Sequence, residues 1–256
     1  MFADAHIHLS DPELKSLLHQ ILLEAKATSK ILIAVAVDAI TSKLNLELEA
    51  KAGGTVRAFG GVHPWSAQSE DADSLRAVLD PSNLAGIGEV GLDRKYAKDE
   101  VEYKRQKEVF ESMLKLAERL QKPLSIHSRS SVDDVLATLS TYNLRNVLLH
   151  WFAGTPQQLK EACERGYFIS YGPSTVYSKK IQRLALSTPP TSILTETDGP
   201  VSFGAAFQNK PALPAFIPSV VYTLSTLHRL DFEDMRSIIF ENTLRYLSLK
   251  NKGEGG

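Results

Sequence analysis

One cysteine, Cys163, stands in 256 residues, which excludes an intramolecular disulfide and favours a reducing compartment. It lies beside Ala162 on one face of an expected helix, where a small, buried, apolar role suits it better than that of a nucleophile. An excess of either charge is also missing: 29 basic against 30 acidic residues leave a formal charge of -1. No global field then recruits nucleic acid or an anionic membrane, and any polyanion has to be gripped by local cations. The longest apolar run, residues 31–37, falls far short of the roughly 20 residues a membrane helix needs. Met1 leads straight into the run ending at His6 and His8, without a basic stretch followed by a long hydrophobic one, so no secretion signal is expected. A cytoplasmic protein with no membrane contact and no obligate protein partner is the expectation. Neither Gly-x-Gly-x-x-Gly after the first expected strand nor a Gly-Lys-Ser/Thr phosphate loop is present, which weakens a doubly wound nucleotide-binding sheet. Repeats, low-complexity stretches and interdomain linkers are absent as well. Only residues 251–256 combine low hydrophobicity with polarity, and they are expected to form a flexible tail after one domain spanning 1–250.

What the chain does have is alternation. Short β-branched runs at 2–8, 30–37, 55–61, 84–89, 123–127, 146–150, 167–170 and 192–197 read as strands. Amphipathic stretches at 11–27, 41–52, 73–79, 100–120, 131–140, 155–165, 178–186, 216–228 and 232–247 read as helices. Ser10 before Asp11, Pro12 and Glu13 is expected to cap the first helix, and Thr155-Pro156 repeats that signal. Strand ends recur at the βα spacing of a closed parallel barrel, and every crossover is long enough to hold a helix, which predicts a single-domain α/β fold of the (β/α)8 TIM-barrel type. The one long irregular stretch, 199–218 with four prolines, follows the last strand, where a loop of that length usually serves function.

The chemistry gathers at strand ends. His6 and His8 are two apart on a strand, so both side chains leave the same face and can close on one ion. A lone His-x-His is weak, but His63, His127 and His150 also fall at or beside C-terminal strand ends, where barrel active sites are built, whereas His19 and His228 fall in helices. Glu89 sits in Gly86-Ile-Gly-Glu-Val-Gly-Leu-Asp93, whose glycines allow close backbone approach. Capping the next helix would be an ordinary job for this acid, but that helix begins near Glu100, too far away. Asp198 ends the last strand before Gly199-Pro200, where an Asx turn and a ligand role are compatible. If one sheet closes, His6, His8, Glu89, His127, His150 and Asp198 meet at one mouth, a set suited to a pair of divalent cations.

Six segments, Asp4-Ala-His-Ile-His-Leu9, Gly61-Val-His-Pro64, Gly88-Glu-Val-Gly-Leu-Asp93, Ile126-His-Ser-Arg129, His150-Trp-Phe-Ala-Gly154 and Glu196-Thr-Asp-Gly-Pro200, occur in this order. Together they resemble the TatD family of metal-dependent deoxyribonucleases within the amidohydrolase superfamily, over Asp4 to about Leu247. The resemblance implies a TIM barrel that hydrolyses DNA phosphodiesters with two metals: His6, His8 and Asp198 hold one, His127 and His150 the other, and Glu89 bridges. Asp198 and Glu89 are then also the expected catalytic carboxylates, with Asp198 able to relay a proton. The ions expected are Zn²⁺, Mn²⁺, Mg²⁺ or Ni²⁺, since mixed nitrogen and oxygen ligands suit several. His63, Asp93, Arg94, Lys95 and Arg129 are candidate substrate contacts, with a salt bridge from Arg129 to Asp133 as the alternative use of that arginine. Trp65, Trp151 and Phe152 are candidate stacking platforms for bases of a single strand, or else core residues. Many relatives follow the position of Asp93 with two aromatics and an arginine, whereas this chain reads Arg94-Lys-Tyr96, so its substrate contacts there differ. The substrate expected is DNA, with RNA or another phosphoester as variants; the competing expectation is hydrolysis of an ester, lactone or amide, for example an aminoacyl-tRNA ester.

Overall fold

The computed structural model describes residues 1–28 and 30–249, so the tail expected at 251–256 lies outside the described residues. Eight strands form: β1 (Ala3–Ile7), β2 (Ile31–Ala34), β3 (Val56–Gly60), β4 (Gly86–Gly91), β5 (Leu124–His127), β6 (Val147–Leu149), β7 (Phe168–Tyr171) and β8 (Ile193–Thr195). They are ordered β1 to β8 around the sheet, and each pairs in parallel with the next. The ring is drawn together by bonds between β1 and the chain at β8: Thr195 Oγ1 donates to Ala3 O at 2.8 Å, Asp198 N to His6 O at 2.9 Å and His8 N to Gly199 O at 2.9 Å. This is the TIM barrel the alternation predicts.

The helices are α1 (Leu18–Ala27), α2 (Ala39–Lys51), α3 (Ala72–Val78), α4 (Glu100–Leu120), α5 (Val132–Leu139), α6 (Pro156–Glu164), α7 (Lys179–Ser187), α8 (Ile217–His228) and α9 (Phe232–Tyr246). The first departs from expectation. Asp11, not Ser10, is the cap, and it starts only a 3-10 turn over Pro12–Leu14, with Asp11 Oδ1 accepting from Glu13 N at 2.8 Å. Ser10 instead donates to Asn45 Oδ1 on α2, and the α-helix begins at Leu18. The Thr155 cap forms as read: its hydroxyl accepts from Gln158 N while Gln158 Oε1 accepts from Thr155 N, and Pro156 opens α6.

Two layers of apolar packing follow from the alternation. Ile33 of β2 and Leu148 of β6 share a cluster with Ala5, Phe59, Phe168 and Leu194, which strands on opposite sides of the ring can do only through the barrel interior. Tyr246 of α9 joins that cluster and donates its hydroxyl to Leu124 O at 2.9 Å, satisfying the one polar atom it carries inside. The larger layer lies between sheet and helices, with Tyr103, Phe110, Met113 and Leu114 of α4 packed on β4 and β5 residues. Cys163 is half-buried on α6, where burial, then Glu164, raises its thiol pKa and keeps it inert. No helix among the described residues is long and apolar enough to cross a membrane.

Irregularity concentrates where the chemistry is. The parallel register shifts within β1 between Asp4 and Ile7, and within β4 between Ile87 and Val90. Those intervals contain His6 and Glu89, and a local bulge re-aims side chains that regular alternation would fix. The 199–218 stretch is held over the same mouth by Phe203, Phe207 and Ala212 packed with Val201 and Phe216, and by a bridge between Ser202 and Pro211.

Candidate metal centre

The strand ends empty into one cleft of about 1590 Å³, whose wall includes His8, His63, Glu89, His127, His150 and Asp198. His6 lies just beneath, fully buried. All six expected ligands therefore meet at the C-terminal mouth of the barrel. Glu89 organises them with its two oxygens. Oε2 lies 3.3 Å from both His6 Nε2 and His8 Nε2, and Asp198 Oδ1 lies 3.4 and 3.3 Å from the same two nitrogens. Ligands about 2.0–2.1 Å from one small divalent ion stand about 3.3–3.4 Å apart in a tetrahedral shell, and these four nitrogen–oxygen separations match that spacing. Oε1 faces the other set: His127 Nδ1 at 2.6 Å, His150 Nε2 at 2.8 Å and His63 Nε2 at 3.4 Å. His6 Nε2 is buried with no hydrogen-bond partner of its own, an orphaned lone pair that a cation satisfies.

The orientations of these side chains are enforced from behind. His6 Nδ1 meets Ser125 Oγ at 2.8 Å, and its ring stacks on that of His150 with centroids 3.8 Å apart. His127 Nε2 meets Asp93 Oδ2 at 2.7 Å, leaving Nδ1 for the cleft. Such carboxylate-backed imidazoles fix tautomer and ring plane and raise ligand basicity. Asp93, expected at the substrate, is thus fully buried behind His127 and is not part of the cleft wall. It also accepts from Arg129 Nε at 2.8 Å, so the arginine pairs with Asp93 rather than with the expected alternative, Asp133, which instead accepts from Gln158. Arg129 stays half exposed on the cleft wall and lies over the Tyr96 ring at 4.6 Å.

The other candidates divide. Trp65 and Trp151 are exposed on the cleft wall, whereas Phe152 is buried in the core. Arg94 reaches the wall but is tied to Glu100 and sits 3.6 Å over the Tyr103 ring, and Lys95 is exposed away from the wall. Trp151 and Asp198 both hold left-handed backbone, with φ of 40° and 52°, the kind of strain that surrounding structure sustains at functional sites. Three polar residues escaped the sequence reading: Asp4, Ser125 and Glu196. Each lies two residues before an expected ligand on the same strand path, which places it on the same face one layer deeper, and that spacing was the available signal. Asp4 accepts from Thr197 N and Oγ1, pinning the chain that carries Asp198, and burial lifts its pKa to about 7.

Electrostatics agree with cation binding. Burial opposes ionisation of Glu89, yet the imidazoles around it, His150 foremost, hold its pKa well below the usual carboxylate range. Burial also disfavours the His8 cation, but hydrogen bonds to Asp198 and Glu89 outweigh it and raise His8 to about 10. His63 moves the other way, to about 4, because burial dominates. Its Nδ1 accepts from Trp65 N at 3.2 Å, so the neutral ring carries its proton on Nε2, facing Glu89. His8 is protonated below about pH 10, and an imidazole has to be neutral to bind a metal, so uptake of an ion by His8 would displace a proton. The apparent affinity of chelated protein for Mn²⁺ should fall roughly tenfold per pH unit for each proton displaced as pH drops from 9 to about 6. Calorimetry at neutral pH in two buffers of different ionisation enthalpy measures the released protons; equal heats in both would contradict it.

A family model described as TatD-related DNase matches residues 3–248. This chain belongs to the TatD family. Human deoxyribonuclease TATDN3 is 33% identical over 211 residues, covering 77% of this chain and 77% of its own length. A metal-dependent hydrolase of Bacillus subtilis strain 168, YabD, is 27% identical over 96% of this chain and 98% of its own. The crystal structure of the TatD homologue YjjV from Escherichia coli K12 superposes with a TM-score of 0.88 at 26% identity, covering 97% of this chain and 98% of that one. TatD membership makes the protein a hydrolase of ester bonds, and its imidazole and carboxylate clusters supply the donors a metal-dependent member requires.

Proposed function

We propose that this protein is a two-metal deoxyribonuclease whose cleft cleaves DNA phosphodiesters, preferentially in single strands or at ends. The observation that carries the proposal is the division of Glu89: each carboxylate oxygen faces its own group of imidazoles, as a ligand shared by two ions does. His6, His8 and Asp198 would hold one ion with Oε2, and His127 and His150 the other with Oε1. Divalent ions held there supply Lewis acidity to the phosphate and lower the pKa of a water nearby. Asp198 turns Oδ1 to His6 and His8, and its second oxygen, Oδ2, is assigned to accept the proton from the attacking water. His63 presents Nε2–H as a neutral donor beside Glu89 Oε1, on the side of His127 and His150. Arg129 offers a half-exposed guanidinium, fixed by Asp93, to grip a phosphate in a protein whose net charge of -1 attracts none globally.

Single strands are favoured by the walls. Trp65 with Tyr96, ring centroids 5.3 Å apart, and Trp151, backed at 5.2 Å by the buried Phe203, stand as aromatic faces on which unpaired bases can stack. The test is degradation of end-labelled single-stranded and duplex DNA by chelated protein reloaded with Mg²⁺, Mn²⁺, Zn²⁺ or Ni²⁺ in turn, with RNA and an aminoacyl ester in parallel. Single-stranded DNA should be consumed fastest with at least one ion. Hydrolysis of the ester with no loss of any DNA would overturn the nuclease reading in favour of a carboxyl-ester hydrolase.

A further inference from the structure

Glu196 is 1% exposed, and no lysine or arginine pairs with it among the described residues. Its Oε1 accepts from Trp151 N at 2.9 Å, its Oε2 accepts from Ser170 Oγ at 2.6 Å, and Oε2 also lies 3.6 Å from His150 Nδ1. His150 Nδ1 is buried with no hydrogen-bond partner, and the Glu196 carboxylate that faces it stands just beyond hydrogen-bond reach, while Nε2 of the same ring faces Glu89 Oε1. The stack on His6 fixes the plane of the His150 ring but cannot choose between its nitrogens. An acceptor behind Nδ1 makes that atom the protonated one and leaves the Nε2 lone pair for the cleft, and Glu196 Oε2 is the oxygen placed there.

We infer that Glu196 is a positioning residue that sets two parts of the cleft at once: through Oε2 it holds His150 in the tautomer that ligates by Nε2, and through Oε1 it pins the strained backbone of Trp151, one of the exposed aromatic walls. Of the other two histidines facing Oε1 of Glu89, His127 has its own carboxylate, Asp93, so the two expected ligands of that group each have an acid behind them, whereas His63 meets the Trp65 amide and His6 has only a hydroxyl behind it. Ligand geometry and base platform therefore do not vary independently. A change at Glu196 is felt by the metal and by the aromatic wall together.

Glutamine is the informative replacement because it keeps the shape and offers one acceptor oxygen where two are used. Turned toward His150 it presents its NH2 to the Trp151 N–H; turned toward Trp151 it presents it to His150 Nδ1. The inference rests on the metal-site reading above, so its readouts are independent of DNA cleavage. Chelated wild-type and Glu196→Gln proteins are titrated with Mn²⁺ by calorimetry, and Trp151 emission is recorded in a Trp65→Phe background, which leaves Trp151 as the one tryptophan. We expect Glu196→Gln to weaken one of two Mn²⁺ sites by roughly 10- to 100-fold, leave the other unchanged, and shift the Trp151 emission. Two wild-type affinities together with unshifted emission overturn the inference. A wild type that binds fewer than two ions overturns the metal-site reading instead, and one that binds two ions but cleaves no DNA sinks only the nuclease. Should Glu196→Gln fail to fold, Ser170→Ala keeps the carboxylate and removes its hydroxyl donor; about threefold to tenfold weaker binding at the same single site supports the inference, and unchanged binding overturns it.

Discussion

Glu89→Gln should reduce turnover by roughly a thousandfold or more, equivalent to about 4 kcal/mol or above in the barrier. The magnitude follows from how many groups depend on one side chain. Glu89 is 2% exposed, and five imidazole nitrogens lie within 3.4 Å of its two oxygens. Glutamine preserves the volume but turns an NH2 toward one of the two groups and removes the negative charge that both share. With two ions held as proposed, neither would then have a complete set of donors, so loss of metal should accompany loss of rate. Replacing His127 by alanine removes a single nitrogen from one group and should also nearly abolish turnover, with the other ion retained. Protein purified under metal control, assayed for turnover and analysed for bound metal, separates the two. Glu89→Gln with two ions and more than about a tenth of wild-type turnover would show that the shared carboxylate is not what holds the centre together.

The fold was legible because its signals are periodic. Eight apolar runs with nine helical stretches between and after them leave few topologies, and the barrel formed with strand bounds within about three residues of those read from the pattern. The errors have local causes. Ser10 has the right chemistry for a cap, but Pro12 one residue after Asp11 favours a single tight turn there, and the Ser10 hydroxyl is claimed by Asn45 across the layer. The histidines and acids that gather at the mouth could be picked out because strand ends are recognisable. What stands behind them is marked only by the two-residue spacing of Asp4, Ser125 and Glu196 from mouth residues, which does not say which imidazole each one meets. Asp93 and Glu196 belong to residues far apart in sequence from the imidazoles they orient, 34 and 46 positions away, and only the closed ring brings them together. The bulges at His6 and Glu89 were equally hidden, since a register shift leaves no mark on apolar periodicity.

Gly91→Ala should be among the most destabilising single changes in the chain, at about 3–5 kcal/mol, and should damage the metal centre through the backbone alone. Gly91 has φ of 148°, and a Cβ there would lie 2.0 Å from His127 O. It pairs in register with His127, so the methyl group would wedge β4 from β5 where those strands deliver Glu89 and His127 to the cleft. Both the disallowed backbone and the clash have to be relieved by the same displacement, because His127 O is main chain and also accepts from Leu92 N. At about 2–4 °C per kcal/mol for a domain of this size, the melting temperature should fall by roughly 10 °C, and the surviving folded protein should bind Mn²⁺ more weakly than wild type. Gly166→Ala is the control. Its φ of 76° is also left-handed, but nothing lies within 4 Å of the added carbon, so only the backbone strain of about 1–2 kcal/mol remains and metal binding should be unaffected. Equal melting temperatures for the two variants would mean that β4 and β5 can separate freely at this point, and with that the close approach would lose its claim to position Glu89 against His127.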